Sequence, residues 1–470
     1  MGFSARLYKI NNPIAEWHEW RQADTASVAR SFYKYGWNPI LPIYDDMSDV
    51  SGDGLNLKRL RFVEFPIYNS IVYLGYLING GVNEAIARAV SIIFSLGSIV
   101  FLYLITKKHF DQLTALLASL VFALLPYSVF YSRTILPEPL LVFLSLGMFY
   151  FAERWIREDT RALFSLSIIF SAAAFLTKPV AIFYLLPLVY SAFLKDGPLF
   201  FIKKRYTFFL ILSLLPFGLW RIWISFYPMG IPASGWLLNG NHIRFKPAFW
   251  RWIIGDRFGR EILSPTGTFL FFLGLLIKPL GKESKLLHLF GLSLLTYLIV
   301  IATGNVQHDY YQYFIVPALS IFVARGLALM LKGSASLLPK IISAPVGILF
   351  FALMFILTLA EIKGLYQINN PSILMGGARA DQILPKDAVV IAPYQGDTAF
   401  LYAINRPGFP VIPTSVDELV SLGATHYVSI NYDADTNFVM KNYKIIEKTP
   451  EYLIADIREK ISTDTGKLNK

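Results

Sequence analysis

A chain of 470 residues in which 55% are hydrophobic, 16% aromatic and only 16% charged lies outside the range of ordinary soluble domains. Its formal charge of +11 does not point to nucleic acid, because Lys and Arg are dispersed among short loops between apolar runs instead of forming one basic surface. The absence of cysteine excludes disulfides, thiolate metal sites and a thiol nucleophile.

In chain order, residues 1–20 hold neither a span nor a signal peptide, although the segment up to residue 87 has to cross a membrane. A first helix missing from the N-terminus is the favoured expectation, and a tail that is outside by nature is the alternative. Phe65 to Asn79 is apolar, but counting it as a span would move Lys107 and Lys108 to the outer side. It is therefore predicted to be an interfacial or re-entrant helix starting at Pro66. Spans of about 20 residues are then predicted near 88–106, 113–131, 136–152, 161–177, 179–195, 206–225, 266–280, 285–302, 311–331 and 341–361. The loops holding Lys107 and Lys108, Arg154 to Arg161, Lys195 to Arg205, Lys278 to Lys285 and Lys332 to Lys340 fall on alternate sides of these spans, so the positive-inside rule places all of them in the cytoplasm. Residues 1–87, the Tyr127 to Glu138 turn, Lys178, the 226–265 loop, the Gly304 to Tyr311 loop and everything after Lys363 then face outward.

From about Gly376 the pattern changes to short strands at Ala388 to Ala392, Val411 to Pro413, His426 to Ile430, Lys444 to Lys448 and Tyr452 to Asp456, with helices at Thr398 to Ile404 and Val416 to Leu422. The Gly396-Asp397 turn is a weak match to a nucleotide loop and is read instead as part of a structural lid. The expected fold is thus mainly α: a first outer loop (1–87), a polytopic membrane domain (88–362) and a small α/β extracytoplasmic domain (375–470).

Candidate chemistry collects on the outer face. Asp24, in Trp20-Arg21-Gln22-Ala23-Asp24-Thr25-Ala26, is either a helix cap or a reactive carboxylate. Glu138 lies between two prolines at the edge of hydrocarbon, a position that costs about 1–3 kcal/mol unless a partner or a function offsets it. Lys178 opposes the positive-inside trend at another outer mouth, which suggests an anionic ligand, with snorkelling to headgroups as the alternative. Two further outer loops, Asn239 to Lys246 with His242 and Arg244, and Asn305 to Tyr313 with His308 and Tyr311, carry groups suited to sugar hydroxyls and phosphate.

The succession Trp20-Arg21-Gln22-Ala23-Asp24-Thr25, Arg61-Phe62-Val63-Glu64-Phe65-Pro66-Ile67, Asn83 to Arg88, Leu136-Pro137-Glu138-Pro139, Thr177-Lys178 and His308-Asp309-Tyr310-Tyr311 resembles the GT-C glycosyltransferases. Within them it is most similar to the protein mannosyltransferase and aminoarabinose transferase group, family 39, over roughly residues 15–365. The resemblance implies a membrane-held polyprenyl-phosphate sugar donor, an acceptor (lipid, polysaccharide or protein) arriving from outside, and an acidic residue of the first outer loop acting at the acceptor nucleophile. Asp24 matches that residue, Glu138 the second acidic position, Lys178 the motif lysine and Tyr311 the tyrosine near the donor phosphate. Arg21, Glu64, His242, Arg244 and His308 are the remaining candidate binding residues. Glu64 and His242 resemble positions that share a metal or order the loops, although the chemistry itself requires no metal. The expected activity is inverting transfer at the plasma (inner) membrane. A transporter or flippase of lipid-linked saccharides is the rival, disfavoured because neither an internal repeat nor a midplane charge pair is found. A non-catalytic scaffold is the third reading.

Overall fold

The structure is a computed structural model that describes residues 1–333 and 339–461. Residues 334–338, within the expected Lys332 to Lys340 loop, and 462–470, at the end of the expected C-terminal domain, lie outside the described residues.

The first outer segment holds α1 (Gly2–Arg6), α2 (Glu19–Tyr35) and α3 (Ile67–Asn79). The apolar run beginning at Pro66 forms α3, which ends at Gly80 in the left-handed region (φ 73°). Asn69 ties it to α2 by donating to the Thr25 carbonyl at 2.6 Å, and Tyr68 ties it to the next helix through the Ala87 carbonyl at 2.8 Å.

The membrane helices begin with α4 (Glu84–His109), capped by the Asn83 side chain, and α5 (Gln112–Leu124), capped by Asp111. The run predicted as one span over 113–131 breaks at Leu125 (φ −53°, ψ 121°), because a residue before proline is pushed out of the helical region; α6 (Pro126–Tyr131) restarts after it. Then come α7 (Glu138–Glu158) and α8 (Arg161–Thr177). All the stretches predicted as spans are helical, but they do not all have spanning length. Among the described residues, five helices are long and apolar enough to cross: Glu84–His109, Glu138–Glu158, Lys204–Ile224, Asp309–Lys332 and Lys340–Ile383. Pro179–Leu185 and Leu188–Ile202, bent by 41° at the break that holds Pro187, are long and apolar enough only when taken together, as one broken span or as a re-entrant loop. Gln112–Leu124, Arg161–Thr177, Ser264–Leu276 and Lys285–Val300 are shorter. A thirteen-residue helix reaches only about 20 Å, against roughly 30 Å of hydrocarbon.

One helix pair meets backbone to backbone. A Cβ on Gly274 would lie 1.9 Å from the Phe322 carbonyl oxygen, and one on Gly326 would lie 2.0 Å from that of Leu270. Helices Ser264–Leu276 and Val316–Lys332 therefore meet with no side chain between them.

The five basic loops expected on one side are linked to one another. Buried Glu153 receives His109 at 3.0 Å, Lys108 at 3.3 Å and Arg157 at 2.9 Å, and Arg157 also reaches Glu283 at 2.8 Å. Lys195 donates to the Arg157 carbonyl, Arg205 pairs with Asp159, and Lys332 pairs with Asp111.

At the other end the N-terminal segment is threaded into the bundle by charge. Glu16, fully buried, accepts from Arg133 at 2.6 Å and lies 3.6 Å from Arg88. Arg88 also donates to the carbonyls of Ile10 and Asn12, and Arg133 lies 4.5 Å from the centre of the Tyr366 ring.

The C-terminal domain is built on a five-stranded sheet of order β2-β1-β3-β5-β4, with β1 Val390–Ile391, β2 Gly408–Phe409, β3 His426–Ser429, β4 Tyr443–Lys448 and β5 Leu453–Lys460. β1 pairs in parallel with β2 and β3, while β5 runs antiparallel to β3 and β4. The strand predicted at Val411 to Pro413 lies instead at Gly408–Phe409. There the backbone approaches β1 so closely that a Cβ on Gly408 would fall 1.8 Å from the Val390 oxygen. Helices Ala399–Ile404 and Val416–Ser421 stand where helices were predicted; Pro371–Ile383 and Ala434–Asn442 were not predicted.

This domain docks on α2. Arg30 donates to the Tyr402 carbonyl at 2.8 Å and stacks 3.8 Å from the Tyr402 ring centre, while the Tyr402 hydroxyl donates to Glu84 at 2.9 Å. Asp397 is largely enclosed at the same face, where burial and the neighbouring Glu19 and Asp24 push its carboxyl up to about 8. The docked state therefore prefers protonated Asp397, and its stability falls as pH rises from the ordinary 3.8 towards 8.

Two stability measurements by thermal unfolding in detergent follow from this packing. Glu16→Ala leaves Arg88 and Arg133 buried without their carboxylate and is expected to destabilise the protein by about 3–5 kcal/mol. Asp397→Asn keeps the oxygen that caps Ala399 but not the charge, so its stability advantage over wild type should grow from pH 5 to pH 8; a constant difference across that range would contradict the burial argument.

Candidate active site

Arg21 and Asp24 stand one turn apart on α2, which places them on the same face of the helix. The Arg21 guanidinium reaches both Glu64 oxygens, at 2.8 and 2.9 Å. Asp24 accepts from Arg61 on Oδ2 at 2.5 Å and from the Thr398 hydroxyl on Oδ1 at 2.7 Å. Arg61 and Glu64 are presented by an extended segment held by backbone bonds on both sides, from the Phe62 N–H to the Gly230 carbonyl at 2.8 Å and from the Phe65 N–H to the Leu176 carbonyl at 3.0 Å. Arg21, Asp24, Thr25, Arg61, Glu64 and Asn69 line one cleft of about 240 Å³, measured out to its solvent mouth.

Glu138 opens α7 and Lys178 closes α8, and the two form an ion pair. The Lys178 ammonium also lies 5.2 Å from the centre of the Tyr311 ring and 5.8 Å from that of Tyr310. The two sets of pairs form one electrostatic unit. Burial works against the Arg21 charge, yet Glu64, Tyr310, Glu138 and Asp24 together raise its pKa. Arg21 is thus the charge shared by the Asp24 and Glu138 sides of the site.

The segment carrying Tyr310 and Tyr311 is fixed by Asp309. Its carboxylate accepts from Trp17 Nε1 at 2.8 Å, is bonded to His18 and lies 3.9 Å from Arg257, while the Tyr127 hydroxyl donates to its carbonyl. His308 packs against Tyr310, Trp20 and His18, at ring separations of 5.5, 5.6 and 5.9 Å. Burial, then His18, lowers the His308 pKa to about 4, so the ring is neutral near pH 7 and offers one donor and one acceptor.

The structure brings together Arg21, Asp24, Glu64, Glu138, Lys178, His308 and Tyr311 and leaves out two of the predicted residues. His242 is exposed, because Asn241 and His242 both take left-handed backbone (φ 53° and 54°) and turn the loop away. Arg244 is committed to its surroundings, donating to the carbonyls of Leu238 at 2.7 Å and Val300 at 3.0 Å. Both Glu64 oxygens are engaged by Arg21, and no cluster of three or more acidic or imidazole groups placed to hold a metal occurs among the described residues. Arg61, Asp309, Trp17, His18 and Thr398 were not among the predicted site residues. Arg61 and Asp309 lie inside the motifs quoted above, whereas nothing local marks Thr398.

The arrangement is an alternation of cations and carboxylates, in which Arg21, Asp24, Arg61 and Glu64 line the cleft and Lys178 stands beside the rings of Tyr310 and Tyr311. It can bind an anion through Arg21 and Lys178, and it holds a carboxylate, Asp24, beside them. The family model described as dolichyl-phosphate-mannose-protein mannosyltransferase matches residues 65–223. An uncharacterized protein of Aquifex aeolicus (strain VF5) is 31% identical over 243 residues, 45% of this chain, and the match spans about half of that relative, 54% of its length. Among solved structures, ArnT from Cupriavidus metallidurans bound to undecaprenyl phosphate superposes with a TM-score of 0.64 at 13% identity, covering 97% of this chain and 96% of that one. The Archaeoglobus fulgidus oligosaccharyltransferase in complex with Zn and sulfate gives 0.59 at 11% identity, covering 94% and 71%. AglB from Archaeoglobus fulgidus, in complex with an inhibitory peptide and a dolichol-phosphate, gives 0.57 at 12% identity, covering 97% and 73%. Residues 65–223 thus match the model of the dolichyl-phosphate-mannose-protein mannosyltransferase family, and the chain as a whole shares the fold of these solved membrane proteins, a multi-pass helical bundle with a small C-terminal sheet.

Proposed function

We propose that this glycosyltransferase moves a sugar from a polyprenyl-phosphate donor to an acceptor at the non-cytoplasmic face of the plasma membrane, inverting the anomeric centre. The reading is carried by one observation: Asp24 and the Lys178–Glu138 pair act on the same buried guanidinium, Arg21, in one site. An acceptor-side acid and a donor-side cation are thereby kept within one substrate's reach. The linked basic loops at the opposite end support this orientation, since the positive-inside rule assigns such an end to the cytoplasm. Two of the similar folds were solved with a polyprenyl phosphate or a dolichol-phosphate, which supports the donor class.

In this reaction the acceptor O–H donates to Asp24 as its oxygen attacks the anomeric carbon from the side opposite the phosphate. The bond from that carbon to the phosphate oxygen breaks, the proton passes to Asp24, and polyprenyl phosphate departs with the bonding pair. Arg61 fixes the direction of the Asp24 carboxylate, while Lys178 and Arg21 neutralise charge gathering on the leaving phosphate. Glu138 holds Lys178 in place. The aromatic walls supplied by Trp20, Tyr310 and Tyr311 suit the apolar face of a sugar ring. A phosphate is already a fair leaving group, and two protein cations serve it, so the mechanism needs no metal.

The test is release of polyprenyl phosphate from a panel of radiolabelled polyprenyl-phosphate sugars in membranes. Asp24→Asn is expected to slow transfer by about 10²- to 10⁴-fold while donor binding is retained. Lys178→Met should lower kcat/KM for the donor by roughly 10²-fold, with Glu138→Gln milder because glutamine still accepts from the ammonium. Labelled lipid-saccharide that changes leaflet while no donor is consumed would replace the transferase with the flippase.

A further inference from the structure

Both oxygens of Asp24 are occupied by protein donors. Arg61 belongs to the same outer loop as Asp24, whereas Thr398 comes from the C-terminal domain, 374 residues further along the chain. Thr398 stands at the foot of a tight turn in which the Asp397 N–H donates to the Tyr394 carbonyl at 2.8 Å and both central residues, Gln395 and Gly396, are left-handed (φ 54° and 81°). The turn leaves the carboxyl end of β1, in the parallel part of the sheet, the edge from which open α/β sheets present loops to ligands. Its tip is exposed, while Thr398 and Ala399 are buried against α2. A second hydroxyl of the turn, on Tyr394, donates to Glu19 at 2.9 Å. The Thr398 hydroxyl also lies 3.1 Å from the Trp20 carbonyl, but its single proton favours the nearer carboxylate acceptor.

We propose that this turn is the acceptor gate of the enzyme: the Thr398 hydroxyl occupies the place at Asp24 Oδ1 that the acceptor's hydroxyl takes during transfer, and the turn lifts from α2 to admit the acceptor. The inference rests on Asp24 acting at the acceptor nucleophile, as proposed above. The resident group has the chemistry of the visitor, an aliphatic O–H donating to one carboxylate oxygen. Of the groups on Asp24, Arg61 is tied into the outer loop's own backbone network, while Thr398 rides on a turn with an exposed tip. A closed gate also keeps water from Asp24 while a donor waits, which limits wasteful hydrolysis. Acceptor choice is then exercised by the C-terminal domain, because the acceptor has to displace Thr398 and pass Tyr394 and Gln395.

The chain has no cysteine, so Ala399→Cys supplies a single buried thiol directly beside Thr398, and its maleimide labelling in nanodiscs reports lifting of the turn. In that background Thr398→Val, which keeps the shape and removes the hydroxyl, is expected to raise labelling by roughly ten- to a hundredfold, the effect of one lost hydrogen bond to a charged acceptor. Tyr394→Phe should act in the same direction without touching Asp24, and Thr398→Ser should label at the parent rate. In parallel, acceptor-free hydrolysis of the radiolabelled polyprenyl-phosphate sugars, with water as the probe, should increase several-fold with Thr398→Val and not with Thr398→Ser. Labelling unchanged in both Thr398→Val and Tyr394→Phe overturns the gate. Faster labelling with slower hydrolysis overturns it as well and makes Thr398 a positioning residue for Asp24. Faster labelling in a parent that consumes no donor of the panel leaves the lifting turn intact and removes the transferase reading.

Discussion

Glu16 is the carboxylate on which the placement of the first outer segment depends. In hydrocarbon or a tightly packed interior an unpaired charge costs several kcal/mol, so the two guanidiniums of Arg88 and Arg133 fold stably only where a partner meets them. That partner comes from the segment just before α2, and its engagement fixes where α2 begins. Trp17 and His18, the next residues, bind Asp309; Arg21 and Asp24 follow at helical spacing. One buried acid therefore sets the phase of the helix that carries the proposed base. The same acid positions the contacts through which Ala15 and Trp17 meet the chain just past the α-helix Lys340–Ile362, at Asn369 and Leu365.

The site applies the same pairing rule with a different outcome. Glu16 has no route to solvent, and its pairs are permanent. At the site the pairs Arg21–Glu64, Arg61–Asp24 and Lys178–Glu138 are balanced, so it carries little net charge of its own while keeping its cations orderly. In the proposed reaction a donor phosphate would meet guanidinium and ammonium groups already held in position, which keeps the reorganisation small. The aromatic rings around Lys178 narrow its freedom further, since the ammonium faces two tyrosines as well as its carboxylate.

Much of this was legible in the sequence wherever a residue contradicted its local surroundings. Glu138 at the edge of hydrocarbon and Lys178 on the wrong side of the charge asymmetry stood out because each is costly alone; in the structure they pair with each other. Apolar runs gave the helices, and Arg161–Thr177 begins and ends where hydropathy places it. Length was less legible, because Pro126 and Pro187 break runs that hydropathy averages over. His242 and Arg244 misled because residue type says nothing about backbone: two left-handed residues point one outward, and two carbonyls hold the other. Thr398 could not be found from sequence at all. Its meaning lies in a contact spanning 374 residues, and a threonine in a soluble domain carries no local signal of strain or cost.

The glycine-to-glycine crossing of helices Ser264–Leu276 and Val316–Lys332 has a mechanical consequence. Two backbones interlocked through Gly274 and Gly326 cannot slide past each other without one riding over the other's carbonyls, so the crossing acts as a registration pin along the bundle axis. The second helix continues upward into the segment bearing Asp309, Tyr310 and Tyr311, and the pin therefore sets how far those rings stand from the bundle's middle. For the proposed reaction, the side of the site that bears these rings is in this sense a stator with a fixed height.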